Sequence, residues 1–222
     1  MRFNEWEPVY QSILEDLGFS REDDEATVRV LKAVTVNSDL IDDDEAASFF
    51  GQRATVIGNS PGLERDLSEN PPQGTLIVSG SAVGRVLDLG LKPDVVVTDL
   101  DGDIEPQIRV NCDGALAFIH AHGDNEDLVR SHAWRFKGPI VLTTQSRPEN
   151  TVSNFGGFTD GDRAVCIARS FGCRDILLLG FDYDNPMPKE GCDPSMKLRK
   201  LSWARRIIGD GPDIHMPVHP RD

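Results

Sequence analysis

The sequence predicts an α/β chain: a doubly wound, mostly parallel sheet preceded by a helical N-terminal lobe. Two observations carry the sheet. From residue 54 onward, short β-branched runs alternate with amphipathic helical ones, the order that builds a parallel sheet through helical crossovers. Most of those runs are apolar throughout rather than at every second residue, as strands buried on both faces must be. A third observation sets off the lobe. Residues 1–51 carry apolar side chains at three- and four-residue spacing, which divides the chain into a helical lobe (1–51) and an α/β domain (52–222).

In the lobe, Trp6, Val9, Tyr10, Ile13, Leu14 and Leu17 share one helical face, and Gly18 closes the run. Ser20 then precedes the acidic stretch 21–25, an N-cap followed by carboxylates at the positive end of a helix, with Val28, Leu31 and Val34 as its apolar stripe. The run Asp42-Asp43-Asp44-Glu45 opens a third short helix. The lobe shows no chemistry of its own and reads as a packing or assembly element. Beyond it, strands are predicted at 54–57, 75–78, 95–98, 116–119, 140–143 and 176–179. Helices are predicted at about 62–68, 81–89, 124–134, 161–171 and 195–208.

A chain of 222 residues buries a core without disulfide staples. Cys112, Cys166, Cys173 and Cys192 form no C-x-x-C pair and read as free thiols of a reducing compartment rather than zinc ligands. No apolar run reaches the roughly 18 residues of a membrane span and no signal peptide opens the chain, so a soluble cytoplasmic protein is expected. A formal charge of −14 argues against nucleic acid or an anionic membrane as partner. The 25 Asp exceed the 12 Glu, and the 17 Arg exceed the 6 Lys; this fits a salt-adapted or GC-rich source as well as plain acidic solubility. The oligomeric state, a homo-oligomer included, stays open. His215 and His219, in a Pro-rich tail, carry no signal.

Ligands of such sheets sit outside the carboxyl ends of the strands, so those ends hold the candidates. The first strand runs into Gly58-Asn59-Ser60-Pro61. Ser60 suits an N-cap and Pro61 a first helical position, and free N–H groups there would cradle a phosphate; a plain tight turn is the alternative. Ser79-Gly80-Ser81 ends the second strand and allows the same two readings. The third ends in Thr98-Asp99-Leu100-Asp101-Gly102-Asp103. If that segment stays extended, Asp99, Asp101 and Asp103 point to one side, and their repulsion calls for a cation such as magnesium; a solvated acidic turn is the bland reading.

The fourth strand ends in His120-Ala121-His122-Gly123-Asp124-Asn125. His120, His122 and Asp124 are candidates for general base or ligand, although Asp124 or Asn125 serves equally as a helix cap. Thr159 with Asp162 resembles a capping box. Asp182, at the end of the sixth strand, has the chemistry to pair with an amidine-like heterocycle edge. Lys197 and Lys200 lie on one helix face and, with Arg199, are candidates for triphosphate charge; a solvated basic face is the alternative.

These motifs resemble a family. The stretch 79–103, a helix and a G-x-x-P-D turn leading into a strand that ends in D-x-D, is similar to the core of thiamin pyrophosphokinase-like proteins. The segments 120–125, 155–163 and 180–183 depart from the thiamin enzymes and look like the archaeal 6-hydroxymethyl-7,8-dihydropterin pyrophosphokinases, with which the helical lobe also agrees. Thiamin pyrophosphokinases show Gly-Asp-Phe-Asp-Ser where this chain has Thr98-Asp-Leu-Asp-Gly102. They also carry a β-rich C-terminal domain for which 183–222 is too short.

The resemblance implies a Rossmann-like, thiamin pyrophosphokinase-like fold and a cytoplasmic enzyme of folate or tetrahydromethanopterin biosynthesis. It would transfer diphosphate from ATP to a reduced pterin. It further implies Mg2+ on Asp99, Asp101 and, third, Asp103. Phosphates would lie near Gly58, Asn59, Ser60, Ser79, Gly80, Ser81, Lys197 and Lys200. A base would come from His120, His122 and Asp124, and Asp162 or Asp182 would face the pterin. A thiamin pyrophosphokinase, a D-x-D nucleotide-sugar glycosyltransferase and a non-catalytic nucleotide-binding module are the rival readings.

Overall fold

The computed structural model describes residues 1–188 and 193–217; Cys192 and His219 lie outside the described residues. In chain order the elements are α1 (Phe3–Leu17), α2 (Arg21–Val34), β1 (Asp39–Leu40), α3 (Asp43–Ala47), β2 (Arg53–Ile57), α4 (Leu63–Glu69), β3 (Thr75–Ser79), α5 (Val83–Asp88), β4 (Val95–Thr98) and α6 (Ile104–Cys112). Then follow β5 (Leu116–Ala121), α7 (Glu126–His132), β6 (Pro139–Thr144), β7 (Val152–Ser153), α8 (Asp160–Ser170), β8 (Asp175–Leu179), α9 (Pro194–Ile208) and β9 (Ile214–His215). The six apolar runs are strands as expected. The two-residue strands β1, β7 and β9, and helix α6, are additions to the sequence reading.

The strands form one sheet in the order β1-β6-β5-β4-β3-β2-β8-β9, with β7 joined to β6. The neighbours pair in parallel, for example Val56 with Ile77 and with Leu178. The chain steps from β2 outward to β6 and then returns to lay β8 on the far side of β2. The reversal of direction therefore falls between β2 and β8, where such sheets bind ligands.

Both faces are covered, which is why the strands read as continuous apolar runs. On one face Ala54, Val56, Ile77, Val97, Phe118 and Leu178 pack against Ala164, Val165 and Ala168 of α8. On the other, Ile57, Leu76, Val78 and Val96 meet Leu63 of α4, Val83 and Val86 of α5 and Val110 of α6.

The N-terminal segment is built into the same core. Val28 and Leu31 of α2 pack with Ala117, Ile119 and Val129, and β1 pairs with β6, Leu40 opposite Ile140. On α1, Trp6, Tyr10 and Ile13 are fully buried and pack with Phe158, Cys166 and Ile207. Cys112, Cys166 and Cys173 are free; burial pushes the Cys166 thiol up to about 12, as expected of an inert core cysteine. Among the described residues no helix is long and apolar enough to cross a membrane.

Candidate active site

The carboxyl ends of β2, β3, β4, β5 and β8 open into one cavity of about 790 Å³, whose other walls are the α1–α2 turn, the start of α8 and one side of α9. Asp99, Asp101, His122, Asp124, Asn59, Ser60, Ser79, Ser81, Asp182, Lys197 and Lys200 all line it, with Gly58 beside them.

The end of β4 is not extended, contrary to the assumption that would align Asp99, Asp101 and Asp103. Leu100, buried, takes a left-handed φ of 68°, a conformation that costs a non-glycine residue about 1–3 kcal/mol. Local hydrogen bonds hold it. Thr98 Oγ1 accepts from Leu100 N (2.8 Å) and donates to Gln107 Oε1 (2.6 Å), and Gln107 Nε2 donates to the carbonyls of Asp101 (2.9 Å) and Asp103 (3.1 Å). The turn sends the Asp99 and Asp101 side chains into the cavity and leaves Asp103 to cap α6, accepting from Glu105 N at 3.4 Å. Gly80 lies beneath this turn and not in the cavity wall: a Cβ on it would sit 2.4 Å from Thr98 Oγ1 and 2.9 Å from Gln107 Oε1.

At the end of β5 the two histidines part. His122 Nε2 lies 3.5 Å from Asp99 Oδ2, and its Nδ1 accepts from Asp124 N at 3.3 Å. The bond at Nδ1 puts the proton of the neutral ring on Nε2, facing Asp99. Burial would raise the Asp99 carboxyl, but the hydrogen bond from His122 and the charge of Arg163 hold it below the usual Asp range. Asn125 ties the region together, donating through Nδ2 to the carbonyls of Asp99 and His120, each at 2.8 Å.

His120 is fully buried behind the cavity, its Nδ1 3.0 Å from Thr143 Oγ1, so it is withdrawn as a candidate base. Burial, then the charge of Arg163, holds its imidazole well below 6.5. Below about pH 6.5 the unfolded chain thus binds a proton that the folded chain refuses. Stability falls with acidification there, by up to about 1.4 kcal/mol per pH unit. Thermal unfolding between pH 7 and 5 should show a steeper loss for the unmodified protein than for His120→Asn; equal slopes would contradict the buried neutral imidazole.

The start of α8 supplies a carboxylate that the sequence reading passed over. Asp160 lines the cavity and pairs with the buried guanidinium of Arg163 at 3.1 Å. Burial and the negative charges of Asp99 and Asp101 push its carboxyl well above the usual range, against the pull of Arg163. Asp162, proposed to face a substrate, instead turns away: it accepts from Phe158 N (2.6 Å), from Thr159 N (2.8 Å) and from the Thr159 hydroxyl. It is fully buried and does not line the cavity. The capping reading holds for it.

Near β2, two N–H groups of the expected phosphate cradle are already engaged. Gly58 N donates to Leu179 O and Ser60 N to Gly180 O, each at 2.9 Å, and α4 begins only at Leu63, with Gly62 and not Ser60 as its cap. Arg85 holds this loop through Asn59 Oδ1 (2.6 Å) and Ser60 O (2.9 Å). Asp182 Oδ1 accepts from Asp184 N and Asn185 N, each at 3.0 Å, while the residue still borders the cavity. On α9, Lys200 Nζ lies 5.1 Å from the Phe19 ring centre and 5.8 Å from that of Phe158. Lys197 Nζ donates to Met187 O at 2.5 Å. Arg199 points away, onto Asp16 at 2.9 Å.

Among the described residues, no group of three or more His, Cys, Asp or Glu side chains gathers as a complete metal site. Asp99 and Asp101 provide two hard oxygen donors, the number magnesium takes when phosphates complete its shell.

Three archaeal proteins resemble the chain over nearly its whole length. It is 36% identical over 219 residues to the 6-hydroxymethyl-7,8-dihydropterin pyrophosphokinase of Pyrococcus furiosus, covering 94% of this chain and 93% of that one. It is 35% identical over 225 residues to the protein of that name from Methanothermobacter thermautotrophicus, covering 94% of each. For the protein of that name from Methanocaldococcus jannaschii, the identity is 29% over 228 residues, covering 94% of this chain and 95% of that one. Residues 30–187, from within α2 to the far side of Asp182, match the family model described as 6-hydroxymethylpterin diphosphokinase MptE-like. The D-x-D turn, the His122 strand end and the Asp160 helix start all fall inside that span, and the chain belongs to the MptE-like family of 6-hydroxymethylpterin diphosphokinases.

Proposed function

We propose that this chain is a pterin diphosphokinase that transfers the terminal diphosphate of magnesium ATP to the hydroxymethyl group of 6-hydroxymethyl-7,8-dihydropterin. The observation that carries the reading is one cavity with carboxylates on one wall and lysines on another: Asp99, Asp101 and Asp160 at the strand and helix ends, Lys197 and Lys200 on α9. Membership of the MptE-like family supplies the acceptor.

The acceptor oxygen attacks the β-phosphorus, the bond from that phosphorus to the α,β-bridging oxygen breaks, and AMP leaves. Such transfers depend mainly on alignment and charge stabilisation. Asp99 and Asp101 would hold the magnesium, which offsets phosphate charge when bound. His122, its Nε2–H aimed at Asp99, orients that carboxylate. Asp124, on the same wall, is assigned to take the hydroxyl proton. Lys197 and Lys200 offset the triphosphate, and Lys200→Met should raise KM for ATP by about tenfold, the loss of one partly exposed charge contact of about 1.4 kcal/mol. An unchanged KM would remove Lys200 from the phosphate site. Asp182 faces the pterin or the nucleotide base near the β2–β8 reversal.

The test is AMP release from magnesium ATP with reduced hydroxymethylpterin, thiamin or no acceptor, with the product identified by mass. Pterin-dependent AMP with a pterin diphosphate is expected. Thiamin-dependent AMP would move the enzyme to another pathway. ATP binding without acceptor-dependent turnover would make it a binding module, and turnover of a sugar nucleotide would make it a glycosyltransferase.

A further inference from the structure

We infer that Asp24 is a positioning residue of this active site, and that helix α2 thereby belongs to the catalytic machinery; the inference rests on the reading just given. Asp24 is a carboxylate with 2% of its surface exposed. Buried charge of this kind is tolerated only when hydrogen bonds satisfy it. Here three donors do so, each from a different element. Gly123 N donates to Oδ1 at 2.7 Å, and Tyr10 of α1 and Gln145 beyond β6 donate to Oδ2 at 2.6 and 2.7 Å. Gln145 is itself held, since Trp6 Nε1 donates to its carbonyl at 2.7 Å.

The Gly123 bond is the one that reaches the chemistry. Gly123 follows His122, whose ring faces Asp99. The His122 backbone is thus pinned from two sides, by Asn125 Oδ1 on its own N–H (2.9 Å) and by Asp24 on the next N–H. The fit is close: a Cβ on Gly123 would lie 2.8 Å from the Asp23 Cβ, so α2 seats on the turn only because that residue is glycine. Holding α2 to the core does not require the carboxylate. Val28 and Leu31 already bury the helix against Ala117, Ile119 and Val129, contacts that the Asp24 side chain does not make. What Asp24 adds is a fixed direction for the turn that carries His122.

The experiment measures kcat and KM for ATP and pterin in the intact protein, its Asp24→Ala, Asp24→Asn, Tyr10→Phe and Gly123→Ala variants, together with the amide proton shift of Gly123. Asp24→Ala should lower kcat by about a hundredfold, the scale of an ångström-sized misplacement, while KM for ATP stays within about threefold. Asp24→Asn, which keeps an acceptor for Gly123, should recover most of the rate, and Tyr10→Phe, which leaves the Gly123 bond, should stay near the unmodified protein. The Gly123 amide should move upfield in Asp24→Ala. If Asp24→Ala does not fold, Gly123→Ala disturbs the same seat from the other side and should show the same kcat-selective loss. An unchanged kcat in a folded Asp24→Ala, or a parallel collapse of ATP binding and rate with no rescue by Asp24→Asn, would overturn the inference. Absence of pterin turnover in the unmodified protein would instead overturn the function on which it rests.

Discussion

Asp101→Asn should lower pterin-dependent AMP formation by about a thousandfold or more, the scale lost when charge stabilisation of a transferring phosphoryl group is removed. The fold should survive, with thermal unfolding within about 3 °C of the unmodified protein. The amide keeps the size of the carboxylate and the acceptor oxygen that Gly102 N uses at 2.7 Å. It removes the charge that Asp101 presents to the cavity. Asp103→Asn is the internal control. That residue caps α6, and asparagine is as good a cap, so activity should stay within about threefold. Full activity in Asp101→Asn would remove the metal assignment, and loss in both variants would point to damage to the turn instead.

Gly80→Ala should be strongly disruptive for so small a change. The added methyl would press on Thr98 Oγ1 and Gln107 Oε1, at 2.4 and 2.9 Å. Those two atoms form the hydrogen bond that shapes the left-handed Leu100 turn. Overpacking of this kind costs about 1–3 kcal/mol, which for a domain of this size lowers the unfolding midpoint by about 2–4 °C per kcal/mol. The rate should fall further than stability alone explains, because Asp99 and Asp101 both hang from the displaced turn. Calorimetry beside steady-state kinetics checks it. A variant with unchanged midpoint and unchanged kcat would show that the β3 end yields without moving β4.

The architecture was legible because its signals are local. Runs such as Val95-Val96-Val97 read as strands buried on both faces, and Ser20 with its following acids read as a helix start, which the Ser20 side chain does cap. The elements that escaped have little local signal. Strands β1, β7 and β9 are two residues each, too short for any periodicity, and α6 begins with Ile104-Glu105-Pro106 directly after a run of turn residues. The site was legible as positions along strand ends, but not as side-chain directions. Asp99, Asp101 and Asp103 look equivalent in sequence. A single positive φ at Leu100, fixed by a glutamine six residues after Asp101, separates the first two from the third. His120 lies inside β5 and is fully buried, whereas His122 lies one residue past the strand end, where the cavity opens. Asp160 gave no signal of its own because its value depends on the approach of α8 to β4. Asp24 read as one acid among several because Gly123 is 99 residues away. Each of these depends on tertiary contact, which spacing along one chain does not encode.

The most direct test of the central claim follows the phosphorus atoms. ATP labelled in turn at the β- and at the γ-phosphate would be offered with magnesium and reduced hydroxymethylpterin under single-turnover conditions. Diphosphate transfer predicts that either label appears in the pterin product and that the AMP released is unlabelled. Label transferred from the γ-position alone, with labelled ADP from the β-labelled substrate, would contradict attack at the β-phosphorus and make the protein a monophosphate kinase.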